Sequence, residues 1–155
     1  MTIRPATVAD AADLSRLHTA SFEDGWTRDD FATWLARREA MAVVALRERE
    51  AVAFGLALMA GSDAELLTIA TDPAARQSGW GRQIFRALDA HALTRGLERW
   101  VLEAARNNVP ALVLYKSEGF MEIGVRKAYY DTRQGRVDAL VMSRPVGSGS
   151  GHGAA

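Results

Sequence analysis

The sequence predicts a mixed α/β domain. Short apolar runs of strand length recur along the chain, helical periodicity interrupts them four times, and a glycine-rich turn joins one such run to one such helix. The order read from these signals is strand, two helices, three strands, helix, strand, helix and two strands. The domain spans residues 1–145, and a Gly/Ser-rich stretch over 146–155 is expected to be a disordered tail.

Met1 to Ala6 reads as a short strand. Thr7-Val8-Ala9-Asp10 then forms a capping-box pattern opening a helix that carries Leu14 and Leu17. Thr27-Arg28-Asp29-Asp30 repeats the pattern for a second helix with Phe31, Trp34 and Leu35 on its apolar face. Met41 to Leu46 and Ala51 to Met59 read as a hairpin closed by the solvated turn Arg47-Glu48-Arg49-Glu50. Glu65 to Thr71 is the next strand, ended by Asp72-Pro73 because proline cannot continue a ladder. A helix from about Gly81 carries Ile84, Phe85, Leu88 and Ala92, and Gly96 ends it. Arg99 to Leu102 is a strand, Asn107 or Asn108 caps a helix through Tyr115, and Met121 to Tyr129 and Val137 to Met142 close the sheet.

The 155 residues suffice for one domain with a real core and leave no room for a second catalytic domain. Nineteen basic and nineteen acidic side chains cancel, so no global field recruits nucleic acid or an anionic membrane. The absence of cysteine excludes thiolate nucleophiles, disulfides and thiolate metal sites, and it agrees with a reducing compartment. The N-terminus lacks a signal-peptide pattern, and no apolar run approaches the ~20 residues that span a bilayer, so a cytoplasmic location is expected. His18 and His91 lie on separate predicted helices and His152 in the tail, so no metal site is expected and the three histidines read as solvated or structural.

The most informative stretch is Arg76-Gln77-Ser78-Gly79-Trp80-Gly81-Arg82. Glycines let the backbone approach an anion, and the unpaired amides of a helix's first turn point at it with the positive end of the macrodipole behind them. Arg82 and Gln83 stand where a Walker loop places Lys and Ser or Thr, and Ile84 stands where the dinucleotide fingerprint needs its third glycine. Two further residues invite chemistry. Glu103 ends the run Trp100-Val101-Leu102, where a carboxylate at a strand tip suits a general base and partial burial would raise it toward the working pH; a strand-end glutamate in water is the competing reading. Tyr115 sits among Leu112, Leu114 and Phe120, either as a core aromatic or as a donor to a leaving group.

The pattern Arg76-x-x-Gly79-x-Gly81 resembles the acyl-CoA pyrophosphate loop of the GNAT superfamily of N-acetyltransferases. Ile69-Ala70-Thr71-Asp72-Pro73, Leu102-Glu103, Asn108, and Leu114-Tyr115 through Gly119-Phe120 follow the order and approximate spacing of the GNAT core. Arg126-x-x-Tyr129-Tyr130 with Gly135 to Met142, and Trp26-Thr27, resemble the RimI-type, ribosomal-protein-alanine branch. The resemblance implies a central mixed, mostly antiparallel sheet flanked by about four helices. It also implies acetyl-CoA as donor, no metal, and direct transfer in a ternary complex to the N-terminal α-amine of a protein, the alanine of a small-subunit ribosomal protein. A small amine or a lysine as acceptor, and a non-catalytic acyl-CoA sensor, are the alternatives.

Carried over residue by residue, the resemblance gives Ile69, Ala70 and Thr71 the pantetheine arm and thioester carbonyl. It gives Gln77, Ser78, Gly79, Trp80, Gly81 and Arg82 the pyrophosphate, and Asn108 a further cofactor contact. The same resemblance implies that Glu103 is the proton acceptor and Tyr115 the proton donor. A thiol near ~8.5 and a tyrosine near ~10 make full proton transfer from Tyr115 uphill by ~2 kcal/mol, so a hydrogen bond to the thiolate is its minimum role. Trp26, Tyr129 and Tyr130 are groove candidates for the peptide, with packing as the other explanation. Ala105, where many relatives have arginine, and Trp80, in place of a small aliphatic, depart from the pattern.

Overall fold

The computed structural model describes residues 2–147; of the tail, 148–155 lie outside the described residues, His152 among them. In chain order the elements are β1 (Thr2–Pro5), α1 (Ala11–Ser21), α2 (Arg28–Leu35), β2 (Ala40–Arg47), β3 (Glu50–Ala60) and β4 (Asp63–Thr71). They continue with α3 (Trp80–Thr94), β5 (Arg99–Ala105), α4 (Val109–Ser117), β6 (Met121–Thr132) and β7 (Gly135–Pro145). This is the predicted order, with two short 3-10 turns added at Val8–Asp10 and Pro73–Ala75. The strands form one seven-stranded sheet in the order β1-β2-β3-β4-β5-β7-β6, antiparallel throughout except for the β4–β5 pair.

Two layers of helix cover the sheet. On one face, Leu14, Leu17 and Phe31 from α1 and α2 pack with Val44, Phe54 and Leu56. On the other, Ile84, Phe85, Leu88 and Ala92 of α3 pack with Val43, Ala57, Leu66, Trp100 and Leu102. Burying each large apolar side chain contributes about 1.5–3 kcal/mol, so these two clusters set the fold. Gly55 on β3 seats α3: a Cβ there would lie 2.7 Å from Ile84 Cγ2 and 2.8 Å from Leu88 Cδ1.

Local chemistry fixes the ends. Thr27 and Asp30 form a full capping box, Thr27 Oγ1 accepting from the Asp30 amide at 3.1 Å and Asp30 Oδ2 from the Thr27 amide at 2.9 Å. Asp10 accepts from the Thr7 amide and is paired with Arg4 at 2.9 Å; the Arg4 hydrogen bond holds its carboxyl below the usual range despite burial. Val146 and Gly147, grouped with the tail by composition, bond back to the Glu98 carbonyl and to Asp89. Among the described residues no helix is long and apolar enough to cross a membrane.

Candidate active site

The site begins with a parting of strands. β4 and β5 pair from Asp63↔Arg99 to Leu66↔Leu102 and no further. The register of β3 against β4 jumps from Leu56↔Thr68 to Ala57↔Leu66, which leaves Leu67 as the extra residue of a bulge at the level where the parting starts. Above it β4 stays paired to β3 through Thr71, so the backbone groups of that strand that point away from β3 have no ladder on the β5 side. A cleft of about 520 Å³ opens here, lined in part by Ile69, Ala70 and Thr71. Thr68, beside them, carries a buried hydroxyl with no hydrogen-bond partner among the described residues.

The glycine turn closes one end of this cleft. Gly79, at φ +80, is the N-cap of α3, and Gln77 also takes a left-handed conformation at φ +63. Among the described residues, the first-turn amides of Trp80, Gly81 and Arg82 have no backbone acceptor. They form an electropositive end to a fifteen-residue helix, the arrangement that holds a phosphate. Gln77 and Gly81 line the cleft with Arg76, whose guanidinium bonds Ser21 Oγ at 3.1 Å. A Cβ on Gly81 would stand 3.1 Å from Leu114, so glycine keeps this wall thin.

The other sequence candidates in the turn sit outside the lining. Trp80 is buried in the α3 core, which gives its departure from the small aliphatic a packing role. Arg82 lies across Ser117 Oγ at 2.9 Å and the buried Glu118 carboxylate at 3.2 Å, joining α3 to the end of α4. Asn108 does line the cleft and caps α4, its Oδ1 accepting from the Ala111 amide at 3.4 Å. Ser21, Phe22, Pro110, Ala111 and Leu114 complete the lining; sequence reading missed Ser21 and Phe22 because only the fold brings the end of α1 to this wall.

One expectation is corrected. Glu103 does not end its strand: β5 continues to Ala105, held on its far side by β7 through Glu103↔Val141, Ala104↔Leu140 and Ala105↔Ala139. The strand can run on because its β7 partner persists after β4 has left. Glu103 therefore stands just past the parting point, on a rigid strand, with its side chain 26% exposed. It forms an ion pair with Arg126, whose Nε lies 3.0 Å from Oε1.

Tyr115 is buried, and burial, with Tyr130 as the second cause, pushes its hydroxyl well above the ordinary tyrosine value. Tyr130 is half-buried and its hydroxyl lies 3.4 Å from the Glu103 carbonyl; burial raises it first, and Glu103 second. Tyr130 thus lies within electrostatic reach of both Glu103 and Tyr115. Tyr129 is exposed. Trp26 lies apart from the cleft lining, stacked on His18 at 4.8 Å and on Trp34 at 5.9 Å, which is a packing role. His18 is structural as well: buried among aromatic rings and lowered to about 4 by desolvation, it accepts the Trp26 amide on Nδ1 at 3.0 Å.

A second cleft of about 580 Å³ shares Ser21, Phe22 and Asn108 with the first. Glu23 and Asp24, Asn107, and Thr132 to Gln134 of the β6–β7 turn surround it, with Glu23 and Arg133 paired at 3.3 Å. Among the described residues, no cluster of His, Asp or Glu could hold a metal ion.

Residues 11–120 match the Acetyltransferase (GNAT) family. The chain belongs to that family. A [ribosomal protein bS18]-alanine N-acetyltransferase of Salmonella typhimurium is 37% identical over 94 residues, 61% of this chain and 64% of that protein. The chain thus spans less than two thirds of that relative's length. A putative [ribosomal protein bS18]-alanine N-acetyltransferase of Bacillus subtilis is 29% identical over 141 residues, covering 90% of this chain and 92% of the other. The crystal structure of the ribosomal-protein-S18-alanine N-acetyltransferase from Escherichia coli superposes with a TM-score of 0.87 at 28% identity, covering 94% of this chain and 93% of that one. The parted β4–β5 pair in this GNAT chain is the feature around which every cleft residue above is arranged.

Proposed function

We propose that this GNAT chain transfers the acetyl group of acetyl-CoA to the N-terminal α-amine of a protein, the alanine of a small-subunit ribosomal protein being the acceptor its relatives' names point to. The observation that carries the transfer reading is the parting of β4 from β5: the cleft lined by Ile69, Ala70 and Thr71 and by Gln77 and Gly81 at the start of α3 opens there, and Glu103 stands on β5 just past the parting point, outside that lining.

In this reading the amides of Trp80, Gly81 and Arg82, with the turn from Gln77 through Gly79, hold the pyrophosphate, and Asn108 adds a polar contact. The Ile69–Thr71 backbone receives the pantetheine arm and faces the carbonyl oxygen on which negative charge develops. An α-amine titrates near ~8, so part of it arrives protonated at neutral pH. Glu103 takes that proton, directly or through water, and passes it to solvent; the amine then attacks the thioester carbon, the N–C bond forms, the C–S bond breaks with CoA leaving as thiolate, and the proton still on the nitrogen is lost to the regenerated Glu103 or to water. The raised Tyr115 hydroxyl is a poorer acid than free tyrosine, so it steadies the departing thiolate by hydrogen bonding and keeps its own proton. Tyr129 and Tyr130 flank the acceptor on the β6 side.

The test is acetylation of a peptide panel with free N-terminal Ala, Ser or Met beside N-terminally blocked peptides containing lysine, read by mass. Products confined to free N-termini support the reading. Lysine-only products, or none despite acetyl-CoA binding, move the acceptor to a lysine or small amine, or the chain to a sensor.

A further inference from the structure

Arg126 sits two strands away from Glu103 in the sheet, on β6 with β7 between them, and the register shows why they meet. Glu103 pairs with Val141 and Arg126 with Ala139, so both side chains stand on the sheet face that Val141 and Ala139 share, and the guanidinium reaches Oε1 at 3.0 Å. A second contact holds the guanidinium from below: its carbon lies 5.1 Å from the centre of the Tyr129 ring.

That second contact requires a distortion. In a regular strand, residues 126 and 129, three apart, point to opposite faces and cannot touch. Between Arg126↔Ala139 and Tyr130↔Val137 the β6 strand carries three residues, Lys127, Ala128 and Tyr129, against the single Asp138 of β7. Ala128 pays for this with φ +49, a left-handed backbone that side chains other than glycine resist, and its amide is fixed on Asp138 Oδ1 at 2.9 Å. The circuit closes through Tyr130, whose ring meets Tyr129 edge-on at 5.2 Å and whose hydroxyl lies against the Glu103 carbonyl.

Stability does not explain such an arrangement. Arg126 is 56% exposed, and exposed ion pairs contribute about 0–1 kcal/mol, less than a strained residue such as Ala128 costs. We infer that Arg126 is a positioning residue: the β6 bulge sets its guanidinium on Oε1 of Glu103, which fixes the rotamer of the carboxylate and leaves Oε2 to receive the acceptor's proton. This rests on the reading of Glu103 as the proton acceptor. The shape of the guanidinium matters as well as its charge, since Nε pairs with the carboxylate while the guanidinium carbon lies over the Tyr129 ring.

The experiment is a double-mutant cycle in the full chain, using the free-N-terminus peptide that the panel shows to be best acetylated. Arg126→Gln should lower kcat roughly 10- to 100-fold, the scale on which a misplaced group loses rate, with KM for acetyl-CoA and Tm unchanged. Arg126→Lys should recover part of the loss, and Tyr129→Leu should reproduce part of it. In a Glu103→Gln background, Arg126→Gln should cost less than about twofold more, because the group it positions is gone. Full additivity of the two losses, a rise in KM for the peptide in both backgrounds, or wild-type kcat in Arg126→Gln beside an impaired Glu103→Gln would overturn the positioning role while leaving the base intact. Wild-type kcat in Glu103→Gln would instead remove the base, and the positioning role with it.

Discussion

The lower and upper halves of the β4–β5 pair are built from the same two strands and differ in almost everything else. Below Leu66 and Leu102 the strands are hydrogen-bonded, and the space beside them is filled. Trp100 is fully buried and donates its Nε1–H to Asp89 at 2.8 Å; Arg144 bonds the same carboxylate at 2.8 Å and the Glu118 carbonyl at 3.0 Å, and lies over Phe85. Above Leu66 and Leu102 the strands part and the space is a cleft, lined by Ile69, Ala70 and Thr71 of β4 and by Gly81 of α3. A parallel pair can afford to open at one end only if the other is locked, and here a satisfied buried ion pair and a bulge divide the two tasks.

The comparison is broken most severely from above. Glu103→Gln should lower kcat by roughly 10²–10⁴, the range that general acid–base catalysis supplies, while leaving Tm near the wild-type value; steady-state kinetics beside thermal unfolding reads both. From below the effect should invert. Asp89→Ala strands Arg144, which is 1% exposed, without its counter-charge, and should cost about 3–5 kcal/mol in denaturant unfolding. Any loss of turnover should then track the loss of folded protein.

Acid should act through His18, which lines the second cleft. Its folded value of about 4 lies below the ordinary 6.5, so the unfolded chain takes up the proton first as pH falls. The stability involved is fully present above pH 6.5 and is lost on the way down to about pH 4, at most about 3 kcal/mol. His18→Phe should flatten urea-unfolding curves over that interval; an unchanged pH dependence would show that His18 is not the group responsible.

The smallest effect is expected at Gly55, which pairs with Ile69 and takes the weight of α3. Gly55→Ala should cost about 1–3 kcal/mol by overpacking and, by shifting the N-terminus of α3, raise the Kd for acetyl-CoA severalfold. Isothermal titration of acetyl-CoA checks the second part.

Much of this division was legible in the sequence. Periodicity, caps and turn residues gave all eleven strands and helices in order, because each signal is local. The glycine turn was legible for the same reason, and so was the cleft edge at Ile69–Thr71 once the family resemblance was recognised. The extent of β5 was not, since what prolongs it past Leu102 is β7, about forty residues away. Nor was the ion pair of Arg126 with Glu103, which depends on strand order and on a bulge at Ala128 that no glycine announces. Trp80 stood out as a departure from the family's glycine turn and Trp26 as a groove candidate; the fold buries the Trp80 side chain in the α3 core and stacks Trp26 on His18.

The most direct measurement is amide hydrogen exchange along the chain with and without acetyl-CoA. Protection gained at residues 69–71 and 77–82, with residues 97–102 unchanged, is the result that a closed lower half and a ligand-holding upper half predict. Binding that protects neither the β4 segment nor the first turn of α3, or that protects the lower half alone, would contradict it.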